Sequence, residues 1–267
     1  MRPFFSMLKI RFINSMQYRA AAWAGVMTQF FWGFMELLLY LTLSRENPAA
    51  FTMTLPQLTS YLWLRQAFFA MFLLWSVDND ILDMIMNGDV AYEVIRPVSL
   101  YSLWFARNLG SRTSKVALRC VPILLVSLLL PKPYGLSLPP DVYSAVGFFI
   151  SMILGVVLLI GMCMWIYIMT FYFITARGIQ NIVGTFADFL SGSLIPIPFM
   201  PIGVQRVLNI LPFASTQSTP YLIYSGYLSG TAALQAIGLQ LLWIVLIVGS
   251  GILAMRKALL RVTVQGG

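Results

Sequence analysis

The sequence predicts an all-α integral membrane protein that crosses the membrane six times. Of its 267 residues, 59% are hydrophobic and only 10% are charged. A soluble globular domain averages roughly 45–50% apolar and about 25% charged residues, so the composition excludes that class. Six long apolar runs predict the crossings, and the distribution of Lys and Arg predicts their direction. Residues 1–267 are expected to form one transmembrane domain.

The apolar runs have the length that a membrane-spanning helix requires. Such a helix needs about 20 mostly apolar residues to cross a hydrocarbon core about 30 Å thick. The fourth run is longer than one crossing needs and is expected to tilt or project into water. The fifth is short and contains Gln180, Asn181 and Asp188. The six predicted spans are residues 20–43, 58–77, about 112–130, 142–176, 179–196 and 231–255.

The basic residues orient these spans with both termini in the cytoplasm. Of the 17 Lys and Arg residues, only Arg45, Lys132 and Arg206 would then face outward, and Arg65 lies within a span. Cytoplasmic loops of membrane proteins carry an excess of Lys and Arg, and this arrangement follows that rule. Membrane orientation therefore accounts for the net charge of +8 without a nucleic-acid partner.

The segment before the first span, residues 1–19, is expected to form a helix. Phe4, Leu8, Phe12 and Met16 recur every four residues beside a basic row. This pattern is typical of an interfacial helix that lies on the cytoplasmic leaflet. The alternative is a basic leader that only sets the topology.

The outer segment before the last span, residues 197–230, is apolar but interrupted by proline. Proline lacks a backbone N–H and breaks helices, so no straight span can pass through. We expect short re-entrant helices that dip into the outer leaflet. The prolines are Pro196, Pro198, Pro201, Pro212 and Pro220.

Two ion pairs are predicted within the membrane. Antiparallel packing of spans one and two places Glu36 and Arg65 at equal depth, and the same argument pairs Arg119 with Asp188. A charge in the hydrocarbon region is costly, so pairing is expected. The alternative is that these four residues relay protons or ions in a secondary transporter.

The long polar interruption, residues 87–99, lies within a region, residues 78–111, that the predicted topology places on the cytoplasmic side. Five of the nine acidic residues lie here, between positions 78 and 93. Asp78 can cap a short helix whose apolar residues Ile81, Leu82 and Ile85 lie at helical spacing, and Gly88 can end it. A second helical turn follows and stops before Pro97. The acidic residues are Asp78, Asp80, Asp83, Asp89 and Glu93.

Two interpretations fit this region. A solvated loop would need its acids only to balance nearby arginines. The region is more apolar than such a loop requires, as Met84, Met86, Tyr92 and Ile95 illustrate. An apolar and acidic protrusion suits docking into a groove with a basic rim on a soluble partner. The docking interpretation is preferred.

Enzymatic chemistry finds little support in the sequence. The chain has no His, and neither a phosphate-binding loop of the form GxxxxGK[ST] nor a GxSxG or HExxH motif occurs. Cys120 and Cys163 lie inside apolar runs and are expected to be buried hydrophobic residues rather than a metal site. The chain is therefore expected not to be an enzyme and to bind no metal or other cofactor.

Two segments together resemble the permeases of the type 2 ABC (ATP-binding cassette) transporter family. The first is "MIMNGDVAYEVIRPVSLYSLWFARNLG", in which Gly88, Asp89, Ile95, Arg96 and Pro97 match that family's pattern after the second span. The second is the proline-rich "LIPIPFMPIGVQRVLNILPF" with the following "TPYLIYSG". The six spans and the cytoplasmic ends agree with this resemblance, which covers essentially the whole chain.

The resemblance implies a subunit of an exporter in the cell membrane of a prokaryote. Such a permease forms half of a translocation pathway, pairs with a copy of itself or a sister permease, and exports drugs, antibiotics or lipid-like substrates. It binds two separately encoded ATPase subunits, which hold the ATP and Mg. In that family the element between spans two and three is a coupling helix. The coupling residues would be Asp78, Asp80, Asp83, Gly88, Asp89, Glu93, Arg96 and Pro97.

A substrate would pass near spans one, two and five of the two permease chains. Apolar contacts along this path are expected from Trp32, Trp63, Phe68, Phe69 and Phe189. The alternative for any one of these residues is an aromatic belt that faces lipid. Two other functions compete with the exporter: an ion-driven secondary transporter, which usually shows an internal repeat, and a non-transporting membrane scaffold.

Overall fold

The computed structural model is built of α-helices that follow the order of the predicted elements. It describes residues 2–17, 19–48, 51–74, 76–95, 97–173 and 176–260, and no strand occurs among them. A 3-10 turn at Ile197–Phe199 precedes α9. The helices are α1 Arg2–Met16, α2 Arg19–Glu46, α3 Leu55–Phe72, α4 Asn79–Met86, α5 Val90–Val94, α6 Leu100–Leu129, α7 Val142–Thr170, α8 Ala176–Leu190, α9 Ile202–Ile210, α10 Ala214–Tyr224 and α11 Gly230–Leu259.

Three of these helices are long and apolar enough to cross a membrane by length and composition. They are α7, α11 and the Ala22–Glu46 part of α2. The other predicted spans fall on α3, α6 and α8. At about 1.5 Å per residue, the 15 residues of α8 extend only about 22 Å, and α6 contains Arg107 and Arg112. The helices support a membrane protein, while the count of six crossings stays a prediction.

Most prolines before α11 lie between short helices, as the sequence indicates, whereas Pro220 lies inside α10 and does not end it. Helix α10 is buried from Ala214 to Ile223 and packs between α7 and α3. A Cβ at Gly155 of α7 would meet the Thr216 carbonyl of α10, so only glycine permits this approach. Gln240 of α11 donates from Nε2 to the Ser215 carbonyl at 2.7 Å and to a carbonyl of α7. Helix α10 is therefore part of the core.

Helix α1 packs along the first half of α6, a placement that the sequence pattern could not show. The closest approach is at Gly110, where a Cβ would lie 2.6 Å from the Leu8 carbonyl oxygen. Ser114 Oγ donates to the Phe12 carbonyl at 3.0 Å. Phe5 and Ile10 stay 61% and 55% exposed on the far side. One face of α1 thus contacts α6, and the other remains open.

Candidate functional site

Helices α4 and α5 form a short element between α3 and α6, which we call the α4–α5 element (residues 78–95). The Asp78 carboxylate accepts the Asp80 backbone N–H at 3.1 Å and so caps α4. Ile81, Leu82 and Ile85 are buried. Gly88 has a φ of 81°, in the left-handed region that favours glycine, and it allows the turn into α5. The predicted cap, apolar face and stop all occur in this order.

Arg107 of α6 holds the start of α4. Its Nη2 donates to Asp78 Oδ1 at 2.8 Å and to Asp80 Oδ2 at 2.6 Å, and its Nε donates to Asp78 Oδ2. The guanidinium is buried, whereas the Asp80 side chain is 71% exposed. Arg11 of α1 lies 3.9 Å from Asp80. These two acids therefore position α4 against α6 and α1.

Two aromatic side chains complete the attachment of the α4–α5 element. The Asp78 backbone N–H donates to the Tyr167 hydroxyl of α7 at 2.8 Å, and that hydroxyl donates to Asn108 Oδ1 at 3.1 Å. Trp104 Nε1 of α6 donates to Glu93 Oε2 of α5 at 2.7 Å. Glu93 therefore holds α5 in place.

The remaining acids, Asp83 and Asp89, point away from these contacts. Both are exposed, and within the described part of the chain neither carboxylate takes part in a hydrogen bond or an ion pair. Exposed apolar side chains accompany them, with Tyr92 74% and Ile95 76% accessible. Pro97 is exposed, and Arg96 lies outside the described residues.

Arg112 fixes the chain that leads into this element. It donates to the carbonyls of Met71 and Leu73 at 2.8 Å each and to that of Ser76 at 2.9 Å. It also contacts Cys163 Sγ of α7 at 3.3 Å. In the sequence, Arg107 and Arg112 contribute only to the basic bias that orients the spans. The one available hint was the position of Arg112 at the edge of an apolar run, where a charge requires partners.

Glu36 and Arg65 lie together between α2 and α3. Arg65 Nη2 forms an ion pair with Glu36 Oε2, and Gln66 Nε2 donates to the same oxygen at 3.0 Å. The Arg65 side chain is 3% exposed and that of Glu36 is 21% exposed. A buried arginine without a counter-charge would destabilise the fold, and the Glu36 carboxylate supplies that counter-charge.

The second predicted pair is not joined by the contacts that the structure describes. The Arg119 guanidinium lies against Gly25 of α2. Asp188 of α8 lines a small cavity with Phe72 and Thr216. Pairing of Arg119 with Asp188 therefore stays a prediction.

The residues expected along a substrate path lie in different environments. Trp63 is buried in the core, where Nε1 donates to the Tyr134 carbonyl at 2.7 Å. Phe68 is partly buried against Phe148, and Phe69 is also partly buried. Trp32 and Phe189 are 49% and 44% exposed. Only these last two present an open aromatic surface.

Comparison with known proteins identifies the family. No curated protein matches the chain. The family described as ABC-2 family transporter protein matches residues 30–266, which include the α4–α5 element and every helix from α3 to α11. The match confirms the resemblance and assigns the chain to the membrane component of such a transporter rather than to its ATPase. The chain belongs to the ABC-2 family, as an ABC-2 type permease.

Proposed function

We propose that the chain is the permease subunit of an ABC exporter, and that it forms half of a pathway for hydrophobic or amphipathic molecules. A second permease chain, identical or related, completes the pathway, and two ATPase subunits supply ATP hydrolysis with Mg. The chain crosses a prokaryotic cell membrane six times with both termini inside. The family and the basic bias of one side of the protein support this proposal.

The observation that carries the proposal is the division of the acids in the α4–α5 element. The carboxylates of Asp78, Asp80 and Glu93 bind side chains on α1 and α6. Asp83 and Asp89 face outward beside exposed apolar side chains. A solvated loop needs no buried arginine to hold its shape, whereas a docking surface gains affinity when it is held in place beforehand. We assign the ATPase contact to Asp83 and Asp89.

The exposed aromatics indicate where a substrate would pass. Trp32 lies on α2 and Phe189 on α8, and both are accessible in the single chain. The buried Trp63 packs edge-on against Phe30 and Phe34 of α2, whereas Phe68 packs against Phe148 of α7. An apolar pathway between two permease chains would suit a hydrophobic substrate. By contrast, Glu36 is bound to Arg65 and Gln66, an arrangement that favours a structural role over an ion relay.

Charge reversal at the outward acids tests the proposal. In the double variant Asp83→Lys and Asp89→Lys, we expect the affinity for the ATPase subunit to fall by at least about 100-fold, since like charges across an interface cost several kcal/mol. The ATPase subunit should then no longer co-purify with the permease. The matched control is Glu46→Lys, which reverses an exposed acid at the far end of α2. Unchanged ATPase binding by a folded double variant would contradict the docking role.

A further inference from the structure

The link between α3 and α4 is held at both ends by one helix, α6. Arg112 binds carbonyls at residues 71, 73 and 76, and Arg107 binds Asp78 and Asp80 at the start of α4. Arg107 is 5% exposed and Arg112 is 3% exposed, so water does not replace these contacts. A displacement of α4 would therefore act on α6 directly instead of being absorbed in the link.

A single hydroxyl joins α7 to the same point. The Tyr167 oxygen accepts the Asp78 backbone N–H and donates to Asn108 of α6. The residue is completely buried, and α4 packs against α7 through its apolar face. This hydroxyl thus connects three helices, α4, α6 and α7, at one buried position.

The second half of the element has its own attachment. Trp104 of α6 donates to Glu93 of α5, and its ring packs edge-on against Tyr167 and stacks on Phe171, with centroids 5.7 and 6.4 Å apart. Trp104 is itself completely buried. One indole ring therefore connects α5 to both α6 and α7.

We propose that Tyr167 and Trp104 are positioning residues that transmit motion of the α4–α5 element to α6 and α7. This inference rests on the proposed function, in which an ATPase moves that element. Packed interiors rearrange between discrete states and do not deform gradually, so a rigid side-chain attachment passes the displacement on. Helix α8 packs on α7 and would follow it.

The test separates docking from transmission. Tyr167→Phe removes the hydroxyl and keeps the ring, and Trp104→Phe removes the indole N–H and keeps a smaller aromatic side chain. Each is combined with Leu138→Cys, an exposed reporter in the link between α6 and α7, in a Cys120→Ser background, and the chain is assembled with its ATPase. Position 138 lies outside the predicted spans, and the measurement is the rate at which a water-soluble maleimide modifies it, without nucleotide and after trapping with ATP and vanadate. Glu93→Gln is the matched control, because its amide oxygen still accepts from Trp104.

In the parent complex, we expect trapping to change the rate at least about fivefold, the lower end of usual coupling between sites. In both variants the ATPase should remain bound, while the response falls at least about twofold, because Trp104→Phe loses one hydrogen bond and Tyr167→Phe loses two. The control should respond like the parent. A full response in both variants, or loss of ATPase binding together with the response, would overturn the inference. Absence of ATPase binding by the parent itself would contradict the proposed function instead.

Discussion

Replacement of Gly110 by alanine should displace α1 from α6. A Cβ at this position would lie 2.6 Å from the Leu8 carbonyl oxygen and 3.3 Å from Arg11 Cβ. Ordinary van der Waals contact begins near 3.4 Å, so the carbonyl is about 0.8 Å too close. The obstacle is backbone, and no change of rotamer can relieve it. Helix α1 must therefore move as a whole.

The size of the effect follows from two opposing contributions. Overpacking a well-packed contact costs about 1–3 kcal/mol, and alanine in a helix is favoured over glycine by roughly 0.5–1 kcal/mol. The net destabilisation is then about 0.5–2 kcal/mol, which lowers the melting temperature by roughly 1–8 °C in a chain of this size. The movement also lengthens the bond from Ser114 to Phe12.

Thermal unfolding in detergent, followed by tryptophan fluorescence, measures this effect. Limited proteolysis of α1 gives a second readout, because a displaced helix is cut faster. Gly238→Ala is the matched control, since a Cβ on that glycine of α11 meets nothing within 4 Å. Its melting temperature should stay the same or rise slightly. A Gly110→Ala protein as stable as the control and equally resistant to protease would refute the close packing of α1.

Two further substitutions test the buried polar contacts. Glu36→Gln removes the charge that compensates Arg65, so we expect the free energy of unfolding to fall by about 3–5 kcal/mol and expression to be poor. Glu46→Gln, at an exposed position, should have little effect. Equal expression and stability of the two variants would argue against the ion pair. Gln240→Leu leaves two main-chain carbonyls without their donor and should cost about 1–3 kcal/mol, measured by thermal unfolding against Gln235→Leu, an exposed residue on the same helix.

Local patterns in the sequence were sufficient to predict several elements. Asp78, the apolar residues of α4 and Gly88 predicted a capped helix with a defined end, because caps and left-handed stops depend on neighbouring residues alone. The prolines between α8 and α11 predicted short helices for the same reason. The apolar runs predicted a membrane protein, and the segment around Gly88 together with the proline-rich segment resembled the ABC-2 family, which the match over residues 30–266 confirms.

The roles of individual charges could not be predicted in this way. The chemistry of the five acidic side chains does not distinguish Asp78, Asp80, Asp83, Asp89 and Glu93. Only the tertiary structure divides them into acids that hold the element and acids that face outward. The same applies to the aromatic residues assigned to a substrate path, some of which are buried. A short sequence pattern does not show which side chain on another helix a given residue will contact.

The sequence by itself determined the membrane class, the helical content and the position of the α4–α5 element along the chain, because hydrophobic burial and capping act over one or two helical turns. The tertiary structure decided which helix holds that element. Arg107 and Trp104 reach it from the following helix, whereas Tyr167 reaches it from 89 residues away along the chain. Such long-range contacts depend on how the helices pack against one another, and no local pattern specifies that packing.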